Sequence, residues 1–236
     1  MNFRILEFKE VSSTNDLARE LAEKGLKEVV VLAKSQTSGR GRNNRSWHSP
    51  PGGLYFSLVL RPDFDLDEYP LIGLAMALGI AKVLNEVGIE ARLKWPNDVL
   101  VNGKKIAGIL VESKPGYAVV GVGVNVNISG FPELEATSIS IELGDVLSLR
   151  WLLGEILKKF EGIYGQISKR SPKLIDDYRE LSPMIGKEVE VDLGHEVVEG
   201  RADIDDRGRL VLTMEGVRRV IEAGEVSRVR KWGEEK

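Results

Sequence analysis

Lys94-Trp95-Pro96-Asn97-Asp98-Val99-Leu100-Val101-Asn102-Gly103-Lys104-Lys105-Ile106-Ala107-Gly108-Ile109-Leu110-Val111-Glu112 is the stretch on which the fold turns. Asn102-Gly103 between two apolar runs is a strong hairpin signal, because both residues tolerate the positive φ that a tight two-residue turn needs. The spacing predicts strands over Arg92 to Trp95 and Val99 to Val101, with a return strand over Lys104 to Ser113. Lys114-Pro115-Gly116 turns the chain again, and Tyr117 to Val126 completes a meander.

Upstream of the meander, Pro70 suits the first turn of a helix that runs to about Val87 and stops at Gly88. Gly52-Gly53 leads into an apolar strand, Leu54 to Leu60, and Val29-Val30-Val31-Leu32 reads as another buried strand. Phe3 to Phe8 is a further strand. Ser13-Thr14-Asn15-Asp16 looks like a helix start, with Ser13 as the cap and an acid three residues on. Leu17, Ala18, Leu21 and Ala22 share one face of that helix, and Gly25 ends it. Downstream, helical pattern covers Leu149 to Ile167, and Pro172 opens a short helix. From Met184 the texture changes to short alternating pieces separated by glycines: Glu188 to Val191, His195 to Val198, Arg209 to Leu212 and Arg218 to Ile221. That spacing predicts a small all-β barrel. The expected division is residues 1–182 and 183–236, with the boundary near Ser182-Pro183.

The 236 residues are 42% hydrophobic and 29% charged, enough for a sizeable core in a medium domain with a small appendage. A net charge of -3 argues against a general nucleic-acid binder, which usually carries a basic surplus. There is no cysteine, which excludes disulfides, thiolate nucleophiles and Cys-ligated metals. His48 and His195 are the only histidines, which leaves no basis for a multi-histidine zinc site. The N-terminal residues lack the apolar core of a signal peptide, and Leu71 to Leu84 is too short for a membrane span. A cytoplasmic enzyme is expected, with no membrane partner.

Charge is concentrated in Gln36-Thr37-Ser38-Gly39-Arg40-Gly41-Arg42-Asn43-Asn44-Arg45-Ser46-Trp47, and no Asp or Glu lies between Glu28 and Asp63. Three guanidiniums offer planar donor forks that match phosphate oxygens. Glycines let the backbone close around an anion, and Trp47 offers a face for a nucleobase. Either this is an anion site, or it is a solvated polar loop. No Walker A loop occurs, and Gly121-Val122-Gly123 lacks the third glycine of a dinucleotide fingerprint, so those glycines ease close packing in a strand. Asp98, emerging beside Asn97 at a strand end, is a general base, a Mg²⁺ ligand or a turn-former. Lys105 either points into a cleft or is solvated at the hairpin edge. Neither histidine accompanies the G-x-S-x-G elbow of a serine hydrolase.

Taken in order, these segments closely resemble the biotin protein ligase family. The resemblance is carried by Ser13-Thr14-Asn15, by Gln36 to Arg42 with Arg45 and Trp47, and by Gly52 to Ser57. Lys94 to Asp98, Lys105 to Glu112 and Gly121 to Val126 complete it. The resemblance implies an α/β (α+β) fold of the class II synthetase type. It comprises a mixed, largely antiparallel sheet flanked by helices, followed by a small SH3-like C-terminal barrel. It also implies a two-step reaction: biotin and ATP with Mg²⁺ give biotinyl-5′-AMP, and a lysine of a biotin carboxyl carrier protein then displaces AMP. By resemblance, Ser13, Thr14, Asn15, Gln36, Gly39, Arg40, Gly41, Arg42, Lys105 and Gly108 surround biotin. Arg40, Arg42, Arg45, Trp47, Lys105 and Asn125 surround ATP and the adenylate. Lys105, Asp98 and Arg42 are the expected catalytic residues, with Asp98 accepting the proton of the acceptor lysine. No protein metal ligand is assigned. The loop from Gly39 to Arg45 is expected to close over the water-sensitive mixed anhydride.

Many members of the family form dimers, and a homodimer is expected here. Many also carry an N-terminal DNA-binding winged helix, but the Ser-Thr-Asn motif begins at residue 13, so no sequence-specific DNA binding is expected. Lipoate and octanoate ligases or transferases of the same fold are the nearest alternative. A nucleic-acid-binding module using the arginine loop is the alternative of a different class.

Overall fold

A computed structural model describes residues 2–131, 134–222 and 224–229. Residues 1, 132, 133, 223 and 230–236 of the two expected units lie outside the described residues. The first unit runs β1 (Arg4–Val11), α1 (Thr14–Glu23), β2 (Val29–Gln36), β3 (Leu54–Leu60), α2 (Pro70–Glu86), β4 (Ala91–Lys94), β5 (Asp98–Val101), β6 (Lys104–Lys114) and β7 (Tyr117–Val124). It then continues through α3 (Ile139–Leu143), α4 (Leu149–Ile167) and α5 (Lys173–Leu181). Seven strands form one sheet in the order β1-β2-β3-β7-β6-β5-β4. Only β1 and β2 pair in parallel, because α1 serves as the crossover between them. The remaining pairs are antiparallel, so the sheet is mixed and largely antiparallel as expected.

Helix α2 is buried almost all round because it lies between the sheet and α4. The other sheet face carries α1, whose Ala18 and Ala22 pack on Val29, Val31, Val59 and Val119. Side chains alternate along a strand, so Val59, Ser57, Val119, Gly121 and Gly123 all point to this α1 face. Helix α1 begins at Thr14 and covers only part of it. Beyond that N-terminus the face is floored by Gly121, Gly123 and Gly108, and there the cleft opens.

The C-terminal unit contains β8 (Glu188–Asp192), β9 (Val197–Ile204), β10 (Leu210–Met214), β11 (Val217–Ile221) and β12 (Glu225–Val229), ordered β11-β10-β9-β8-β12. The expected small all-β module is present, but its five strands make one open sheet: no pairing joins β11 to β12 among the described residues. The strand expected at His195 to Val198 starts only at Val197. Asp192 takes the Gly194 N–H in a local turn, and Leu193 N–H donates to Glu196 O, so His195 lies in the bend. The two units share one continuous core that includes Val189, Val191, Ala202 and Leu210 beside α2 and α4. Trp95 Nε1 donates to Gly208 O at 3.1 Å, fastening the β9–β10 turn under the meander. No described helix is long and apolar enough to cross a membrane.

Candidate active site

Thirteen of the fourteen site residues expected from sequence line one cavity of about 270 Å³: Ser13, Thr14, Asn15, Gln36, Arg40, Gly41, Arg42, Arg45, Trp47, Asp98, Lys105, Gly108 and Asn125. Gly39 stands behind the lining. A Cβ there would meet Trp47 O at 2.4 Å and Ser49 Oγ at 2.6 Å, so only glycine lets the loop pass.

At the α1 end the cavity wall is a dense hydrogen-bond network. Ser13 occupies the N-cap position, but its side chain makes no capping bond; it is buried and faces the cavity. Gln36 Oε1 accepts from the Thr14 backbone N–H at 2.8 Å and from Thr14 Oγ1 at 3.1 Å. Gln36 Nε2 donates to Ser49 Oγ, which donates to Trp47 O. Below them Ser57 Oγ lies 2.8 Å from Thr14 Oγ1 and 2.6 Å from Asn15 Oδ1. Asn15 sits directly on Gly121, where a Cβ would fall 2.0 Å from Asn15 Oδ1. Ser57 was not among the expected site residues, although a lone serine in the apolar strand Leu54–Leu60 was a readable signal. Glu112 and Asp16 were also missed as site residues: both ion-pair with Arg40, at 2.7 and 3.0 Å.

At the other end the loop is folded by its own backbone. Gly41 N–H donates to Arg45 O at 2.7 Å and Trp47 N–H to Gly39 O at 2.8 Å, and Asn43 and Asn44 take left-handed φ values of 52° and 59°. Asn adopts that region more readily than most side chains. Trp47 lies on the glycine floor: a Cβ on Gly123 would be 2.4 Å from its indole and one on Gly108 2.9 Å. Gly121 and Gly123 thus do what the incomplete dinucleotide fingerprint suggested, which is to permit close approach. Trp47 Nε1 is buried without a hydrogen-bond partner, and Lys105 Nζ lies 5.3 Å from the ring centroid.

Lys105 reaches this face through a register shift. Opposite Val99 stands Ala107, but opposite Leu100 stands Lys105, so Ile106 is an extra residue in a β-bulge. Ile106 and Ala107 therefore both enter the core, and Lys105 turns to the side of Asp98. Its Nζ lies 2.6 Å from Asp98 Oδ1. Of the two sequence readings, the cleft position holds and the solvated edge does not. The segment after β7 braces the same lysine: Lys105 N–H donates to Glu135 O and Thr137 N–H to Lys105 O. Asn125 Nδ2 donates to Thr137 O at 3.0 Å, so this expected adenylate residue also anchors that segment.

The C-terminal unit contributes a wall. Arg45 is ion-paired with Glu225 at 2.8 Å, and Arg42 donates to Gly224 O at 3.2 Å and to Asn97 Oδ1 at 3.3 Å. The Arg45 hydrogen bond holds the Glu225 carboxyl below its usual range. Burial pushes the Arg42 guanidinium down, opposed by Asp98 and Glu225. All three loop arginines thus have partners inside the molecule, which does not suit an array for a nucleic-acid backbone. Among the described residues no group of three or more His, Cys, Asp or Glu side chains could cage a metal.

Residues 7–129 match the biotin/lipoate A/B protein ligase family, and residues 184–229 match the biotin protein ligase C-terminal domain. The bifunctional ligase/repressor BirA of Bacillus subtilis is 37% identical over 231 residues, covering 90% of this chain and 70% of that protein. The biotin–[acetyl-CoA-carboxylase] ligase of Mycobacterium tuberculosis is 36% identical over 235 residues, 94% of this chain and 87% of that protein. Among solved structures, the Aquifex aeolicus biotin protein ligase in complex with biotin and ATP superposes with a TM-score of 0.81 at 30% identity, covering 97% of this chain and 99% of that one. With both units matched in order and the motif residues gathered around one cleft, this chain belongs to the biotin/lipoate A/B protein ligase family, as a biotin protein ligase.

Proposed function

We infer that the protein is an ATP-dependent ligase that activates biotin as biotinyl-5′-AMP and transfers it to a lysine of a biotin carboxyl carrier protein. The observation that carries this is a cleft with a neutral hydrogen-bonding end and a cationic end, within a chain matched by biotin protein ligases along both units. The reaction needs both ends. A polar ureido ring must be recognised by matched buried donors and acceptors, which reject ligands lacking it. A carboxylate must then meet a polyphosphate, two like-charged groups that cations have to screen.

In the first step a biotin carboxylate oxygen attacks the α-phosphorus of ATP and pyrophosphate leaves. Arg42 and Lys105 are assigned to the charge that develops on carboxylate and phosphate oxygens. In the second step the lysine amine attacks the acyl carbon, AMP leaves with the electron pair of the acyl C–O bond, and the amine proton passes to Asp98. Lys105 Nζ, 2.6 Å from Asp98 Oδ1, holds that carboxylate at the reacting end of the cleft. Trp47 and Asn125, with Arg45, are assigned to the adenine side. Mg²⁺ would arrive on the ATP phosphates, since it keeps most of its waters and needs only one or two carboxylates from a protein; Asp98, Glu135 and Glu225 are the carboxylates that line the cavity.

An ATP-consuming modification of a metabolic carrier protein supports a cytoplasmic location. A homodimer is supported by open sheet edges, of which the outer edge of β1 is the longest, with Ile5 exposed. Biotin-dependent exchange of labelled pyrophosphate into ATP tests the function, with lipoate and octanoate as parallel substrates. Exchange with biotin alone is expected. Exchange with lipoate alone would move the chain to the neighbouring activity of its family.

A further inference from the structure

The arginine loop is strongly basic as a sequence, yet at the α1 end of the cleft it presents no net charge. Four charged side chains meet there. Arg40 Nη2 lies 2.7 Å from Glu112 Oε2 and 3.0 Å from Asp16 Oδ1. Arg19 lies 2.6 Å from Asp16 and 3.7 Å from Glu112. Two guanidiniums and two carboxylates sum to zero. Glu112 also serves a neutral donor, since its Oε2 accepts from Asn15 Nδ2 at 2.7 Å, while Asn15 Oδ1 accepts from Ser57. One carboxylate therefore orients a guanidinium from the loop and a buried amide from α1.

We propose that Glu112 is a positioning residue that sets the chemical preference of this end of the cleft. This rests on the biotin ligase reading of the site. By neutralising Arg40 and aiming Asn15, Glu112 makes Arg40 a hydrogen-bond donor for an uncharged acceptor, the ureido carbonyl, rather than a docking point for an anion. A guanidinium already met by two carboxylates gains little further Coulomb energy from a phosphate, but its remaining N–H groups still donate. Anions are thereby directed to the loop end, where three cations, Arg42, Arg45 and Lys105, share two carboxylates, Asp98 and Glu225. The substrate acid enters in one orientation: neutral ring toward Glu112, carboxylate toward Lys105. Arg40 is on this account a ligand of biotin and not of ATP, and its share in the adenylate site is removed. Glu112 itself touches neither substrate.

The test is steady-state pyrophosphate exchange by the full chain carrying Glu112→Gln, which keeps an acceptor for Asn15 but deletes the charge. The KM for biotin should rise about ten- to a hundredfold, the scale of one charge-assisted hydrogen bond lost or misaimed. The KM for ATP and kcat should hold, and sulfate should become an inhibitor competitive with biotin, because Arg40 now carries unbalanced charge. Asp16→Asn, which frees the same guanidinium without touching Asn15, should show the sulfate competition with a smaller rise in KM. An unchanged KM for biotin in Glu112→Gln overturns the proposal. So does a common loss of kcat and of both affinities with a lowered melting temperature, which marks a purely structural role. If Glu112→Gln fails to fold, absence of sulfate competition in Asp16→Asn overturns it. Failure of the unsubstituted protein to exchange with biotin would instead sink the functional reading beneath it.

Discussion

The two ends of the cleft are built on different principles. At the α1 end, Ser13, Thr14, Asn15 and Ser57 are each at most 4% exposed, and Ser57 hydrogen-bonds both Thr14 and Asn15 beside the glycine floor. At the loop end, Arg42 and Arg45 hang on Asn97, Gly224 and Glu225, and Trp47 leaves a buried N–H unmet. A buried, fully satisfied network is rigid and selects by shape and hydrogen bonding. A partly satisfied loop is free to exchange partners and suits a step in which charge moves. On the proposed reading, recognition and activation are separated along one sheet face.

Breaking the loop end should cost the most rate. Lys105→Ala removes the cation that screens carboxylate and phosphate, and adenylation should fall about 10²- to 10³-fold. Single-turnover formation of biotinyl-AMP reads this, and a tenfold or smaller loss would remove Lys105 from the transition state. Asp98→Asn should leave that first step nearly intact and slow transfer to the acceptor lysine by about 10²- to 10⁴-fold. Equal slowing of both half-reactions would show that Asp98 acts by holding Lys105.

Breaking the α1 end should instead cost stability and biotin affinity together. Gly121→Ala drives a methyl to 2.0 Å from Asn15 Oδ1, an overpacking worth about 1–3 kcal/mol. Ser57→Ala leaves the buried Asn15 Oδ1 without its donor, at a cost of about 1–3 kcal/mol. Denaturant unfolding measures both losses, and a neutral Gly121→Ala would mean that the network is not rigid.

The smallest effect belongs to the exposed tie between the units. Glu225→Gln should lower stability by no more than about 1 kcal/mol, as exposed pairs do, and raise the KM for ATP a few-fold without changing that for biotin. The charge-exchanged pair Arg45→Glu with Glu225→Arg should recover part of it. Because Arg45 holds the Glu225 carboxyl low, this contribution is present above the ordinary carboxylate pKa and is lost only as pH falls through the lowered one. The KM for ATP should therefore not respond to Glu225 in the neutral range, and a titration there would rule out this assignment.

Much of the molecule was readable before its structure. The Asn102-Gly103 turn, the Pro70 and Gly88 limits of α2 and the apolar runs of β2 and β3 are local statements about φ and burial, and each gave an element close to its observed bounds. The order of the motifs was enough for the family, and thirteen site residues came together as expected. Some local detail escaped: α3 and β12 were not read, and β9 was begun two residues early because the turn that Asp192 makes with the Gly194 N–H is a side-chain decision.

Sequence alone determined which groups the site would contain: the guanidiniums, the lysine, the carboxylate and the small polar residues at a helix start. Tertiary structure decided what each of them faces. Period-two alternation would turn Lys105 to the face opposite Gly108, and only the bulge at Ile106, set by pairing with β5, brings it beside Asp98. Arg40 reads as an anion ligand until Glu112, 72 residues away, is found against it, and Arg45 reads as free until Glu225, 180 residues away, closes on it. A residue type states what a side chain can bond, but charge and direction depend on neighbours that only chain folding supplies.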